Sequence, residues 1–448
     1  MKLTRYPAAS IREILSLSMP LMVTSLSWFA MVFVDRLFLA AYDLQAMNAA
    51  VSGSIVAWTF INGAAAIASI AQVFVGRKFG AGDLKGLGAP VWQMLWYSLF
   101  SLLFYLPLGF FGGSLIFGQG REMETVYFDW MVFFGPMYLA YQAVVSFFVG
   151  QGKIALIVWV AVITNGVNFF LDYLLIFGFG DLIPSLGIEG AAIATSLSTV
   201  FETGALFYFF INKRNRRRFG TGEWKIQWPL FSECIWIGIP AGVSMTLEFF
   251  GWSVFYEMMK WFGDNHLTIA GIFQSLMVLF YFIPEGLLKG MTVIIAFYIG
   301  EKREGLIPKA LYSCLQFVFT LFVFALVTSP LTVEWIRLGF LNGEGIEIDA
   351  LLLGAWILVL LYITFEAFRS AMTAHLTAYK ETGFILGTGV ASVLLFIVFP
   401  FLLLYAWGQP AELTALFLAL LFPLGHALLL YLRSRRLMAK ERKAVDLE

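Results

Sequence analysis

The chain has 448 residues, 60% hydrophobic and only 13% charged, with a mean hydropathy of +0.83. A soluble domain carries about 25% charge, so the composition excludes one and points to a membrane protein. Lysine plus arginine balance aspartate plus glutamate, for a formal net charge of zero, which argues against a nucleic-acid or acidic partner.

A helix that crosses the hydrocarbon needs about 20 apolar residues. That rule predicts twelve spans, six near 14–40, 49–75, 88–117, 125–149, 154–178 and 187–211, and six near 231–262, 266–299, 310–338, 348–376, 382–407 and 412–432. The opening MKLTRYPAASIREILSLSMPL lacks a small-residue cleavage pattern and reads as the lead-in to the first helix. Basic residues gather in alternate loops, among them Arg77, Lys78, Lys85, Lys153, Arg214, Arg216, Arg217, Arg218, Lys302, Arg303 and Lys380. The intervening loops are acidic, neutral or mixed, as in YDLQAMN, FGDNH and LNGEGIEID. The positive-inside rule then puts both termini in the cytoplasm of a multi-pass protein of the inner (plasma) membrane.

The two halves echo each other. Pro20 corresponds to Pro240, Val75–Lys78 (VGRK) to Ile299–Lys302 (IGEK), and Gly152-Lys153 to Tyr379-Lys380, at offsets of about 220–227 residues. The expected organisation is an amino-terminal six-helix lobe at 1–212, a cytoplasmic basic linker at 213–230, a carboxy-terminal six-helix lobe at 231–436 and a cytoplasmic tail at 437–448. Both halves start from the same side, so the repeats are parallel. Two such bundles facing each other would enclose a cavity able to open to either side, the geometry of a transporter.

Carboxylates interrupt four predicted spans: Asp35 in LSWFAMVFVDRLFLA, Asp172 in NGVNFFLDYLLIFG, Glu248 in GVSMTLEFFGWSVF and Glu366 in LLYITFEAFRSAM. A charge at the centre of a bilayer helix costs roughly 2.5–3.5 kcal/mol, so each is a functional-site hypothesis. Asn165, Asn168 and Asp172 share one helix face by their spacing, and Asp35 and Thr195 are expected to converge on them. Such oxygens suit a hard cation such as Na+ at Asp35 and Asp172, or one proton shared between two acids. The plainer reading is hydrogen bonding between helices. Glu248, Tyr362 and Glu366 form a similar set in the second half. Against this, Arg369 stands three residues after Glu366 and could make a structural pair with it. Glu285 and Lys289 read as an internal ion pair, whereas Glu202 and Glu257 have no evident partner in the sequence. His266, His375 and His426 do not cluster, Cys234 and Cys314 read as free thiols, and no Walker-type loop occurs. The expectation is therefore neither a metal enzyme nor an ATP-driven pump.

Several stretches resemble the MATE (multidrug and toxic compound extrusion) family, in its NorM-like bacterial branch, over almost the whole chain. They are Pro20 with VDRLFLA, AQVFVGRKFGAGD, GQGK, TNGVNFFLDYLLIFG followed by GIEGAAIAT, and EAFRSAMTAHLTAYKE. The resemblance implies an all-α integral membrane fold of twelve transmembrane helices in two six-helix bundles, V-shaped. It also implies a secondary active multidrug exporter that trades organic, often cationic, compounds for Na+ or H+, without a cofactor and acting as a monomer. Carried over residue by residue, it places the amino-lobe cation or proton site at Asp35, Asn168, Asp172 and Thr195, and the carboxy-lobe site at Glu248, Tyr362 and Glu366. Arg36, Glu285, Lys289 and Arg369 are charges that the family pattern does not usually carry. Two alternatives stand beside this reading. A lipid-linked-precursor flippase of the same wider superfamily would want a more basic cavity than Arg36, Lys289 and Arg369 supply. An intramembrane aspartyl protease would match Gly178-Phe179-Gly180-Asp181 with Tyr42-Asp43, but both aspartates fall in predicted loops.

Overall fold

The computed structural model describes residues 2–332, 346–408, 414 and 416–445. It is built of α-helices. In chain order they are α1 (Ile11–Tyr42), α2 (Leu44–Ser69), α3 (Ala71–Gly80), α4 (Gly88–Phe117), α5 (Glu122–Phe133), α6 (Gly135–Val149), α7 (Ile154–Phe177), α8 (Ile188–Phe210) and α9 (Lys213–Phe219). There follow α10 (Trp228–Phe262), α11 (Asp264–Phe280), α12 (Phe282–Gly300), α13 (Ile307–Val327), α14 (Ile346–Ala378), α15 (Thr382–Val393), α16 (Phe399–Trp407) and α17 (Leu418–Val445). Residues 394–398 join α15 to α16 as a π-helical turn.

Among the described residues, ten helical stretches are long and apolar enough to cross a membrane, or eleven if the bent pair α5–α6 counts as one. Most follow the predicted spans closely. The predicted span 125–149 bends by 40° between α5 and α6, and a second difference lies at 266–299, read from sequence as one span. The structure divides it into α11 and α12 with a turn at Tyr281. Pro284 has no N–H for the carbonyl of Phe280, which opens the ladder at that point. The ends of the predicted 310–338 and 412–432 spans and most of the LNGEGIEID loop lie outside the described residues.

The chain divides into two compact units. One comprises Met1–Leu3, Val23–Thr246 and Ile299–Lys302, the other Thr4–Met22, Leu247–Tyr298 and Arg303–Glu448. In the first, Ile61, Tyr105, Phe128, Leu139, Ile176 and Ala191 are buried in one apolar core. In the second, Phe262, Phe273, Trp356, Val359 and Phe401 do the same.

Helix ends are fastened by side chains. Asp43 alone separates α1 from α2, and its carboxylate accepts from the N–H groups of Gln45 (3.2 Å) and Ala46 (3.1 Å), capping α2. At the foot of α1, the hydroxyl of Ser10 accepts from the N–H of Glu13 (3.2 Å). The buried Glu13 carboxylate turns back onto the N–H of Ala9 (2.6 Å) and also receives the hydroxyl of Tyr298 on α12. This holds Ala9 at φ 60°, a left-handed conformation uncommon for a residue with a Cβ.

The segment after α9 is strapped onto α4. The indole N–H groups of Trp92 and Trp96 donate to the carbonyls of Thr221 (2.9 Å) and Trp224 (2.7 Å), and the N–H of Gln227 donates to Gln93 (2.9 Å). In the polar segments outside the spans, Lys78 donates to Asp83 at 2.8 Å and holds that carboxyl below its usual range. Burial, with Arg218 and Arg214 nearby, lowers Lys153.

α7 and α8 pack closely because α8 opens with the small residues Gly190, Ala191, Ala192 and Ala194. A Cβ on Gly190 would fall 2.5 Å from the carbonyl oxygen of Leu175. Backbone cannot yield cheaply there, so Gly190→Ala is expected to cost about 1–3 kcal/mol by overpacking. A lower thermal midpoint of the detergent-solubilised protein, followed by a thiol-reactive dye as buried Cys234 and Cys314 become accessible, would register that cost.

Candidate functional site

In the first unit, three helices deliver the polar residues to one place. α1 carries Asp35, α7 carries Asn168 and Asp172, and α8 carries Thr195; all four are at most 5% exposed. The hydroxyl of Thr195 donates to Asp35 Oδ2 at 2.9 Å. Asp35 and Asp172 lie close enough to interact, with Asn168 beside Asp35. Asn165, on the same face of α7, does not join them. Its amide instead donates to the hydroxyl (2.7 Å) and carbonyl (2.9 Å) of Ser27, pinning α7 to α1 two turns away.

Four polar atoms of this cluster are left unpaired among the described residues. Both oxygens of Asp172, Oδ1 of Asp35 and Nδ2 of Asn168 are buried without a hydrogen-bond partner among the described residues. A buried acceptor left unpaired costs about 1–3 kcal/mol, more for a charged group. Three carboxylate oxygens turned inward fit either a bound cation or a proton held between the acids. Tyr127, on α5, lies within electrostatic reach of both carboxylates; no sequence motif marks it.

In the second unit the acids are arranged differently. Glu248 on α10 and Glu366 on α14 both meet Arg369. The guanidinium donates through Nε to Glu366 Oε2 (2.8 Å) and through Nη2 to Glu366 Oε1, and Nη2 also lies 3.1 Å from both oxygens of Glu248. The phenol that reaches them is Tyr281, at the turn between α11 and α12, 3.2 Å from Glu248 Oε1 and 3.4 Å from Glu366 Oε1. Tyr362, singled out by sequence, is buried with its ring against Trp252 (5.7 Å) and Phe273 (5.8 Å). The i,i+3 spacing to Arg369 was the visible signal of this cluster, whereas Tyr281 gave none.

Several other residues singled out by sequence have neighbours that account for them. Glu285 and Lys289 pair at 2.7 Å on α12. Glu202 lies beside Tyr141, and Glu257 lies 4.0 Å from Lys260, both well exposed. His375 meets Ser434 (2.8 Å) and His426 meets Thr388 (3.2 Å). Among the described residues no three potential metal ligands of the His, Cys, Asp or Glu type come together.

Many apolar spanning helices with buried acids in their midst define a polytopic membrane protein with intramembrane polar sites. The family model MatE matches residues 20–174 and 240–402, well over half of the sequence, and the chain belongs to that family. Its fold matches a crystal structure of the eukaryotic MATE transporter AtDTX14 with a TM-score of 0.78, at 18% identity, over 97% of this chain and 98% of that one. It also matches an outward-facing multidrug resistance MATE family transporter of the MOP superfamily, with a TM-score of 0.78 at 17% identity over 98% of each chain. Among relatives by sequence, a probable multidrug resistance protein NorM of Neisseria meningitidis is 24% identical over 309 residues, 65% of each chain. One of Thermotoga maritima is 28% identical over 240 residues, 52% of this chain and 51% of the relative. The match to these relatives thus spans less than two thirds of their own length.

Proposed function

We propose that the protein is a secondary active exporter of organic, often cationic, compounds, driven by inward movement of Na+ or H+ through alternating access. Membership of the MatE family and the multidrug resistance names of its relatives support this reading. The observation that carries it is the pair Asp35–Asp172, buried and facing, with three oxygens unfilled. In this reading the coupling ion binds between the two acids, with Thr195 holding one carboxylate in place and Asn168 beside it. An ion at this position changes the relative stability of two conformations, and the substrate binds one of them better. Export follows from that differential affinity. The parallel repeat supplies two lobes, at 1–212 and 231–436, that rock about the linker, with both termini cytoplasmic and the monomer as the working unit. Glu248, Tyr362 and Glu366 form the second polar element, in the carboxy lobe.

The test is uptake of a cationic dye into everted membrane vesicles, driven in separate arms by a sodium gradient and by a pH gradient directed out of the vesicle. At least one gradient is expected to drive dye movement that collapses with a matching ionophore. Dye transport indifferent to both gradients, from protein shown to be folded and inserted, overturns the reading.

A further inference from the structure

The acidic pair of the second unit is built in a way that sets it apart from the acidic pair of the first. In the first unit, three carboxylate oxygens have no donor among the described residues. In the second, all four oxygens of Glu248 and Glu366 lie within hydrogen-bonding range of Arg369, and Tyr281 adds its hydroxyl. Arg369 is itself enclosed. Its side chain is 10% exposed, and its guanidinium carbon lies 5.8 Å from the centroid of the Phe422 ring. A guanidinium presents five N–H donors in a planar fork and stays charged under all physiological conditions. A sodium ion needs several oxygens turned towards one point with lone pairs free. The carboxylates of Glu248 and Glu366 offer that arrangement only if Arg369 leaves, and Arg369 is tethered one turn from Glu366 on the same helix. These residues therefore do not fit a free metal cation.

We propose that Arg369 is a built-in cation that occupies the carboxy-unit acid pair, excludes sodium from it, and so confines metal-cation binding to Asp35 and Asp172. Arg369 is then the residue that determines ion specificity in this unit, and its removal creates a sodium site there. This inference rests on the exporter reading for its significance, but its test reads ion binding alone.

The measurement is binding of radiolabelled sodium to the purified full chain at alkaline pH, in a form carrying Asp35→Asn and Asp172→Asn so that the first site is silent. With Arg369 present, no sodium binding sensitive to Glu248→Gln is expected. Adding Arg369→Gln is expected to produce saturable sodium binding that Glu248→Gln abolishes. Sodium should also raise the thermal midpoint of the Arg369→Gln form, by preferential binding to the folded state, and leave the parent unmoved. Two results overturn the proposal. One is sodium binding in the Arg369-bearing parent that disappears with Glu248→Gln. The other is an Arg369→Gln form that elutes as folded protein and binds no sodium. If Arg369→Gln does not fold, the Glu248→Gln comparison in the parent still decides. Failure of dye uptake into everted vesicles would remove the exporter reading without changing either binding result.

Discussion

Asp35→Asn is expected to cut dye efflux by about tenfold or more while leaving the protein folded and inserted. The argument starts from the site. Asp35 accepts from Thr195 at 2.9 Å, and the carbonyl of an asparagine can keep that bond. The new amide N–H groups would point towards Asp172, whose two oxygens have no donor among the described residues. The substitution therefore satisfies a buried acceptor that the natural residue leaves open, and stability should hold or rise. What disappears is the second negative charge. A single acid flanked by an amide no longer supplies the charge for a cation, nor the like-charge repulsion that makes a pair share a proton. Coupling between ion and substrate is typically worth about 1–3 kcal/mol, or roughly 5–150-fold in affinity, and its loss is the source of the expected fall. Dye uptake into everted vesicles and a thermal scan in detergent separate the two effects. Folded Asp35→Asn protein that exports at the natural rate would remove these acids from the mechanism.

Arg369→Gln carries the largest expected cost in stability, about 3–5 kcal/mol, because it strips the cation from a buried group of charges. Glu366 is fully enclosed and the Glu248 side chain is 17% exposed, so water cannot replace Arg369 at Glu366 and reaches Glu248 only in part. The cost reflects an uncompensated charge rather than the worth of the pair itself. A double variant tests this. Adding Glu366→Gln to Arg369→Gln removes one of the stranded charges, so the pair of substitutions should cost less than the sum of the two singles. The thermal midpoints of the four proteins in the absence of sodium give the coupling directly. Strict additivity would show that the contacts of Arg369 with Glu366 do not carry its stabilising role.

The helical framework was largely legible in the sequence because lipid imposes a simple code. Every backbone group must be bonded within its own segment, so long apolar runs have few alternatives to helix, and the predicted span 88–117 coincides with α4. The code loses its grip where the break is made by one residue inside an apolar run. The turn at Tyr281 divides a stretch read as one span: Pro284, which lacks an N–H, marks a kink there in the sequence, but not that the helix divides in two.

The polar sites were legible to different depths for the same kind of reason. A carboxylate among apolar residues is conspicuous wherever it lies, so Asp35, Asp172, Glu248 and Glu366 stood out from composition alone. Helical spacing placed Asn165, Asn168 and Asp172 on one face, but it could not say that Asn165 would be taken by Ser27. Tyr127 and Tyr281 were invisible, because a tyrosine in a membrane span is ordinary and its partners lie on other helices.

Taken by itself, the sequence determined that the protein lives in a membrane, that its spans are helices, and which of its acids are out of place there. These properties follow from local chemistry and the hydrophobic cost of charge. Only the tertiary structure decided how each acid is answered: Asp35 and Asp172 are left facing each other with open lone pairs, whereas Glu248 and Glu366 close around Arg369. The physical reason is that a hydrogen-bond partner is set by which helices pack side by side, and segments far apart in the chain acquire that relation only on folding.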